Sequence, residues 1–160
     1  MATSTTPSSS SPSFTDSPAF KLHRATALLD RVSDRYLRAH HGIPYSDFVV
    51  LLVVRVLEEP TQRQIADDLS VSRASVTQRL DGLRARGLVE VRPDPADARA
   101  KRVRLSAEGD ALLDRAWRGL EEHQDGVDAG VDLAALGALL DRVIHNALEV
   151  LRAAESGAAS

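Results

Sequence analysis

Residues 61–105 read TQRQIADDLSVSRASVTQRLDGLRARGLVEVRPDPADARAKRVRL, and this stretch decides the fold. Thr61 and Gln64 have the T-x-x-Q spacing of a capping box, which predicts that a helix begins after Thr61. Three apolar residues give that helix one buried side: Ile65, Ala66 and Leu69.

A second helix follows the break at residues 70–72, and Ser72 is a good N-cap for it. Its apolar residues recur at i, i+4 and i+7, which predicts a single buried stripe of Val76, Leu80 and Leu83. Gly87 ends the pattern, and Leu88 is placed for the hydrophobic contact of a C-terminal glycine cap. The pair of helices joined by a tight turn is typical of a helix-turn-helix.

The exposed face of the second helix carries short or hydrogen-bonding side chains in its N-terminal half: Arg73, Ala74, Ser75, Thr77, Gln78 and Arg79. A recognition helix needs this arrangement, since small residues allow close approach while Arg, Gln and Ser/Thr bind base edges or phosphates. A solvated polar face on an ordinary helix explains the same residues equally well when the helix is considered alone.

Two short runs after Gly87 alternate apolar and polar residues, as half-buried strands do. The first is Val89–Arg92 and the second Arg102–Leu105, and the loop between them is rich in turn residues. From Ser72 to Arg104 there are nine Lys/Arg and four Asp/Glu, a local charge of +5 in a chain of net charge −3. This asymmetry favours a surface that faces phosphates.

The combined pattern resembles the winged helix-turn-helix of the MarR (multiple antibiotic resistance regulator) family. It consists of I-A-x-x-L at 65–69, V-S-x-x-x-V-T-x-x-L-x-x-L-x-x-x-G-L-V at 71–89, D-P-x-D-x-R at 94–99 with V-x-L-S at 103–106, and Gly109. It extends more loosely over residues 18–153. The resemblance implies a mainly α fold with a small β-hairpin wing, in which a DNA-binding lobe joins a helical dimerisation domain formed by both chain ends.

The resemblance also implies a function, namely a dimeric transcriptional regulator that places the recognition helix in the major groove of a pseudo-palindromic operator. Asp97 and Arg99 match the family's D-x-R at the wing tip, where the arginine enters the minor groove, whose negative potential suits it. Arg73 and Gln78 are the best-suited base readers because both can bond bidentately to a purine edge. The full predicted DNA-binding set is Ser72, Arg73, Ser75, Thr77, Gln78, Arg79, Asp97, Arg99, Lys101 and Arg102.

Composition bounds the class of protein. The 160 residues suffice for one domain with a core, and the absence of cysteine excludes disulfides and thiolate metal sites. Residues 1–17 are rich in Ser, Thr and Pro and lack a signal peptide's apolar run, so we expect a disordered tail. The longest apolar run, Phe48–Val54, has seven residues, too few to span a membrane. A cytoplasmic location is expected.

Both chain ends predict long helices. The first has a 3,4-spaced stripe over residues 18–42, and the last is apolar on more than one side, which implies a partner. Residues 48–57 are apolar on every side, so periodicity alone allows a buried strand or a helix; the family places a helix there, and Pro44 suits its first turn. The predicted division is a tail at 1–17, a dimerisation helix at 18–42, the winged helix-turn-helix at 43–105, dimerisation helices at 106–153, and a flexible tail at 154–160.

Regulators that resemble this chain usually bind an effector between the dimerisation helices and the DNA-binding lobe. A small aromatic or phenolic ligand is one possibility here. Candidate contacts are His23, Tyr36, His40, Phe48 and Trp117, although a core role explains the aromatic residues equally well. The histidines lack the spacing of a metal site, and no glycine-rich phosphate loop or nucleophile elbow is present, so neither a cofactor nor an enzyme is expected. A winged helix that binds proteins instead of DNA is the alternative function.

Overall fold

The computed structural model describes residues 14–95, 100–123 and 126–157. They belong to two compact units, one ending at Glu122 and the other beginning at His123. The helices are α1 Pro18–His41, α2 Tyr45–Val56, α3 Gln62–Asp68, α4 Arg73–Ala85, α5 Ala107–Glu122 and α6 Leu133–Gly157, and the strands are β1 Val89–Pro93 and β2 Lys101–Leu105. The mainly helical fold with a single described hairpin confirms the predicted fold class.

The predicted helix caps are present. The Thr61 hydroxyl accepts from the Gln64 amide at 3.2 Å, and the Gln64 side chain accepts in return from the Thr61 amide at 2.8 Å. Ser72 caps α4 through the Ser75 amide at 3.2 Å. Since these caps satisfy amides that a helix leaves unpaired, they fix where α3 and α4 begin.

α4 ends in the glycine cap expected from the sequence. Gly87 has a left-handed φ of 71°, and its amide donates to the Arg84 carbonyl at 2.9 Å. The Leu88 amide reaches back to the Leu83 carbonyl at 3.0 Å. These two bonds define a Schellman motif, and Leu88 is buried beside the helix that it closes.

The core of the first unit lies between α2 and the helices and strands around it. Phe48 and Leu51 of α2 are almost completely buried, so the ambiguous run is a core helix. Pro44 lies one residue before α2 as its N-cap, not in its first turn. The stripe predicted for α4 is fully buried in this core: Val76 at 0%, Leu80 at 1% and Leu83 at 0% exposure.

The wing is an antiparallel hairpin in which Val89 pairs with Leu105 and Val91 with Val103. After it, the Ser106 hydroxyl donates to the Gly87 carbonyl at 2.6 Å and accepts from the Gly109 amide at 3.0 Å. Ser106 therefore caps α5 and ties its first turn to the end of α4. A Cβ on Gly109 would lie only 1.9 Å from the Leu88 carbonyl oxygen, so this contact requires glycine.

The chain ends carry exposed apolar side chains. In α1 these are Phe20, Leu22, Leu28, Leu29 and Val32, each 37–48% exposed. In the second unit Asp132 caps α6 through the Ala135 amide at 3.0 Å. Eight large apolar residues of α6 are 42–69% exposed: Leu133, Leu136, Leu139, Val143, Ile144, Leu148, Val150 and Leu151.

The two tails of the predicted division are only partly described. Residues 1–13 lie outside the described residues, and Phe14–Asp16 forms a short 3-10 turn before α1. At the other end α6 continues to Gly157, past the predicted boundary at residue 153. Among the described helices, none is both long enough and apolar enough to cross a bilayer.

Candidate nucleic-acid interface

The N-terminal half of α4 presents the polar face that the sequence predicts. Arg73, Thr77 and Gln78 are exposed, whereas Ser75 is half-buried. The Thr77 hydroxyl donates to the Arg73 carbonyl at 3.0 Å, which turns it toward its own helix. Arg73 and Gln78 are thus the longer side chains of this face that extend into solvent.

Arg79 is used within the lobe. Its guanidinium donates to the Ser46 carbonyl at 3.0 Å, and Arg86, at the C-terminal cap of α4, donates to the Gly42 carbonyl at 3.1 Å. Beside them, burial raises the pKa of the Asp47 carboxyl, although the charges of Arg79, Arg86 and Arg38 oppose this. α4 is therefore fastened to the C-terminal cap of α1 and the first turn of α2, and a DNA contact by Arg79 stays a prediction.

Part of the wing's positive charge is neutralised within the hairpin. Glu90 accepts from Arg104, its cross-strand partner, at 2.9 Å and from Arg92 at 2.7 Å. These bonds, led by that from Arg104, hold the pKa of Glu90 below its usual value. Arg92 and Arg104 therefore contribute less to the positive surface than the count of basic residues suggests.

Arg102 binds a carboxylate at the base of the wing, and the DNA contact predicted for it stays a prediction. Its Nε lies 2.8 Å from Oδ2 of Asp94, whose side chain is only 6% exposed. Sequence analysis assigned Asp94 no role, although it is the first residue of the D-P-x-D-x-R motif at 94–99. The predicted tip residues Asp97 and Arg99 lie outside the described residues.

A groove of about 540 Å³ lies between α3, α4 and the wing. It is lined by Thr61, Gln62, Arg63, Arg73, Asp94, Ala100 and Lys101. Within the described chain, neither Arg73 nor Lys101 has an ion-pair partner, and Arg63 pairs with exposed Asp67 at 3.5 Å. The groove joins α4 to the wing through basic side chains, and Arg63 is a lining residue that the sequence analysis did not name.

The predicted effector contacts do not form one cluster. Tyr36 stacks on His40 with ring centroids 4.3 Å apart, and Phe48 stacks on Trp117 at 6.4 Å. The Tyr36 hydroxyl lies against Gly119, so both aromatic pairs approach α5. His23 lies 13 residues before Tyr36, about 20 Å along α1, and does not join them.

Comparison with known proteins finds relatives that are similar to this chain. A family model described as the MarR family matches residues 41–100. The HTH-type transcriptional regulator PecS of Dickeya dadantii is 30% identical over 105 residues, covering 64% of this chain and 61% of PecS. The multiple antibiotic resistance protein MarR of Escherichia coli is 29% identical over 127 residues, covering 77% of this chain and 88% of MarR. Over residues 41–100 the chain is therefore similar to the MarR family.

A crystal structure of a MarR family member shows the fold on DNA. A single-residue mutant of E. coli MarR complexed with operator DNA has a TM-score of 0.64 and 28% identity, covering 78% of this chain and 91% of that one. This chain is therefore similar in fold to a protein that binds operator DNA. The aligned part of this chain spans 61% of the length of PecS.

Proposed function

We propose that this protein is a homodimeric transcriptional regulator of the MarR family, acting as a ligand-responsive repressor, that binds a pseudo-palindromic operator in double-stranded DNA. The observation that carries the proposal is the exposed polar face of α4 beside a groove lined by Arg63, Arg73 and Lys101. A +5 segment in a chain of net charge −3 gives this surface the sign that phosphates require.

In the proposed complex α4 enters the major groove with its N-terminal half foremost. Arg73 and Gln78 contact base edges there, while Lys101 contacts phosphates and Arg99 the minor groove. Two lobes related by a twofold axis would contact half-sites about 10 bp apart. The dimer is supported by the exposed apolar side chains of α1 and α6, which a second copy of the chain would cover.

DNA binding is tested by fluorescence anisotropy with DNA from upstream of the protein's own gene and a scrambled control, at several salt concentrations. We expect preferential binding whose affinity falls steeply as salt rises, because each neutralised phosphate releases counterions. No binding to either DNA at low salt would contradict the proposal and favour the protein-binding winged helix. Size-exclusion chromatography with light scattering would report the dimer.

Arg73→Gln is expected to weaken operator binding by about 1–3 kcal/mol. The reason is that Arg73 is exposed at the DNA-facing end of α4 and also lines the groove. Arg118→Gln, the same chemical change on an exposed position of α5, serves as the control and should bind like wild type. Equal affinities for wild type and the Arg73 variant would remove Arg73 from the interface.

The effector is proposed to bind beside Phe48 and Trp117, whose stacked rings suit a small aromatic or phenolic ligand. Since Trp117 is the only tryptophan in the chain, titration with salicylate as a probe should quench its fluorescence. Operator affinity should fall over the same concentration range.

Phe48→Leu should shift both the quenching curve and the affinity curve to higher salicylate concentration. His23→Gln, on the distant part of α1, should shift neither. Quenching without any effect on DNA binding would argue against an effector site here.

A further inference from the structure

An ion pair between a buried carboxylate and a partly exposed arginine lies at the base of the wing. The Asp94 carboxylate accepts from Nε of Arg102 at 2.8 Å, and Nη1 of the same guanidinium donates to the Glu59 carbonyl at 3.1 Å. Arg102 therefore connects the start of the wing loop to the turn between α2 and α3. Because an arginine presents several donors in a fixed plane, its two partners are held at a defined distance.

The backbone around this pair connects the same elements. The Asp94 amide donates to the Ala100 carbonyl at 3.0 Å, which closes the wing loop, and the Val103 amide donates to the Pro60 carbonyl at 2.9 Å. Glu58 and Glu59 both have left-handed φ values, 47° and 63°, which non-glycine residues rarely adopt. This turn presents the Glu59 carbonyl to Arg102, so a strained backbone forms one side of the connection.

Electrostatics alone predicts that Asp94 weakens DNA binding. Its carboxylate lines the groove together with Arg63, Arg73 and Lys101, and a negative charge there repels a DNA phosphate. If only charge mattered, removing the carboxylate would strengthen DNA binding. Its salt bridge to Arg102 instead gives it a structural partner.

We propose that Asp94 and Arg102 are positioning residues, which fix the wing against α3 so that Lys101 lies across the groove from Arg63 and Arg73. Arg102 then acts through the wing and makes no phosphate contact of its own. This inference rests on the proposed DNA-binding function and deepens it. It assigns the two residues of the pair a common role, although their charges would have opposite direct effects on DNA.

The sign of the Asp94→Asn effect tests the proposal in salt-dependent anisotropy titrations of the full chain. We expect operator affinity to fall about two- to thirtyfold, the range for residues that act without touching the ligand. Unchanged or higher affinity would overturn the proposal. Thermal melting of the same sample separates this loss of operator affinity from unfolding. Binding to a scrambled DNA reports whether the change is confined to the wing or affects the whole DNA-binding lobe.

Arg102→Lys gives a second test that does not depend on the Asn variant folding. Lysine keeps the positive charge but cannot hold Asp94 and the Glu59 carbonyl together, so affinity should fall by a similar factor with an unchanged salt slope. Lys101→Gln is the control and should reduce that slope by about 0.9 per protomer, or about 1.8 for the dimer, as loss of one phosphate contact in each half-site does. If Arg102→Lys binds like wild type, or if Arg102→Gln reduces the slope by the same amount as Lys101→Gln, Arg102 is a phosphate contact and the proposal fails.

Coupling between the sites completes the test. In the Asp94→Asn, Lys101→Gln double variant the losses should be smaller than additive, because Asp94 acts by placing Lys101. Fully additive losses would overturn this assignment. Failure of wild type itself to bind DNA would instead overturn the proposed function.

Discussion

Val143→Asp is expected to convert the protein to a monomer that binds operator DNA about 100- to 10,000-fold more weakly. Val143 is 52% exposed on the apolar side of α6, so the charge disrupts little packing within one chain. In a dimer the same charge would be buried against the partner, at a high desolvation cost. In a dimer, binding of one lobe raises the effective concentration of the other lobe at its own half-site. A monomer lacks this gain in affinity. Light scattering and anisotropy would measure the two effects.

His145→Asp is the matched control for this variant. It also introduces one negative charge on α6, two residues away and so on a different side of the helix. It should remain dimeric and bind like wild type. A Val143→Asp protein that stays dimeric at micromolar concentration would show that the apolar side of α6 does not form the interface.

Gly109→Ala is expected to reduce the free energy of unfolding by about 3 kcal/mol. The added Cβ would lie 1.9 Å from the Leu88 carbonyl oxygen and 2.9 Å from its carbonyl carbon, which are backbone atoms that cannot turn aside. The start of α5 must then separate from the end of α4, and the Ser106 cap that joins them weakens. Urea denaturation followed by circular dichroism would measure the loss.

Gly82→Ala makes the same substitution where nothing lies within 4 Å of the new Cβ. Gly82 lies inside α4, where alanine is the better helix former, so this variant should gain about 0.5–1 kcal/mol. The two variants should therefore change stability in opposite directions. A Gly109 variant as stable as wild type would mean that the contact with Leu88 is looser than the structure shows.

The features of the fold that depend on local interactions could be predicted from the sequence. The Thr61–Gln64 box, the Ser72 cap and the Gly87 motif involve residues at most five apart, so their spacing is visible in the chain. The α4 stripe and the alternation of the wing strands were equally clear, because burial on one face imposes the period. Residues 48–57 had no such period, since α2 is buried on several sides.

The partners of the arginines could not be predicted in this way. Arg79 binds a carbonyl 33 residues earlier in the chain, and Arg55 on α2 pairs with Asp110 and, at 2.6 Å, with Asp114 on α5. A long side chain reaches whichever acceptor the tertiary fold brings close, and a single sequence does not reveal that acceptor. The same holds for the pairing of Asp94 with Arg102, two residues that lie eight positions apart on either side of the wing loop.

The junction at Gly87, Ser106 and Gly109 gives α4 the geometry of a lever. One end of the helix is fixed there, and the end that carries Arg73 is free of it, 13 residues or about 20 Å away. A rotation of about 10° about the junction would displace that far end by about 3 Å, roughly the length of a hydrogen bond. Val76, Leu80 and Leu83 are buried along the same helix, so such a rotation would also repack the core, and the position of Arg73 is therefore tied to the packing beneath α4.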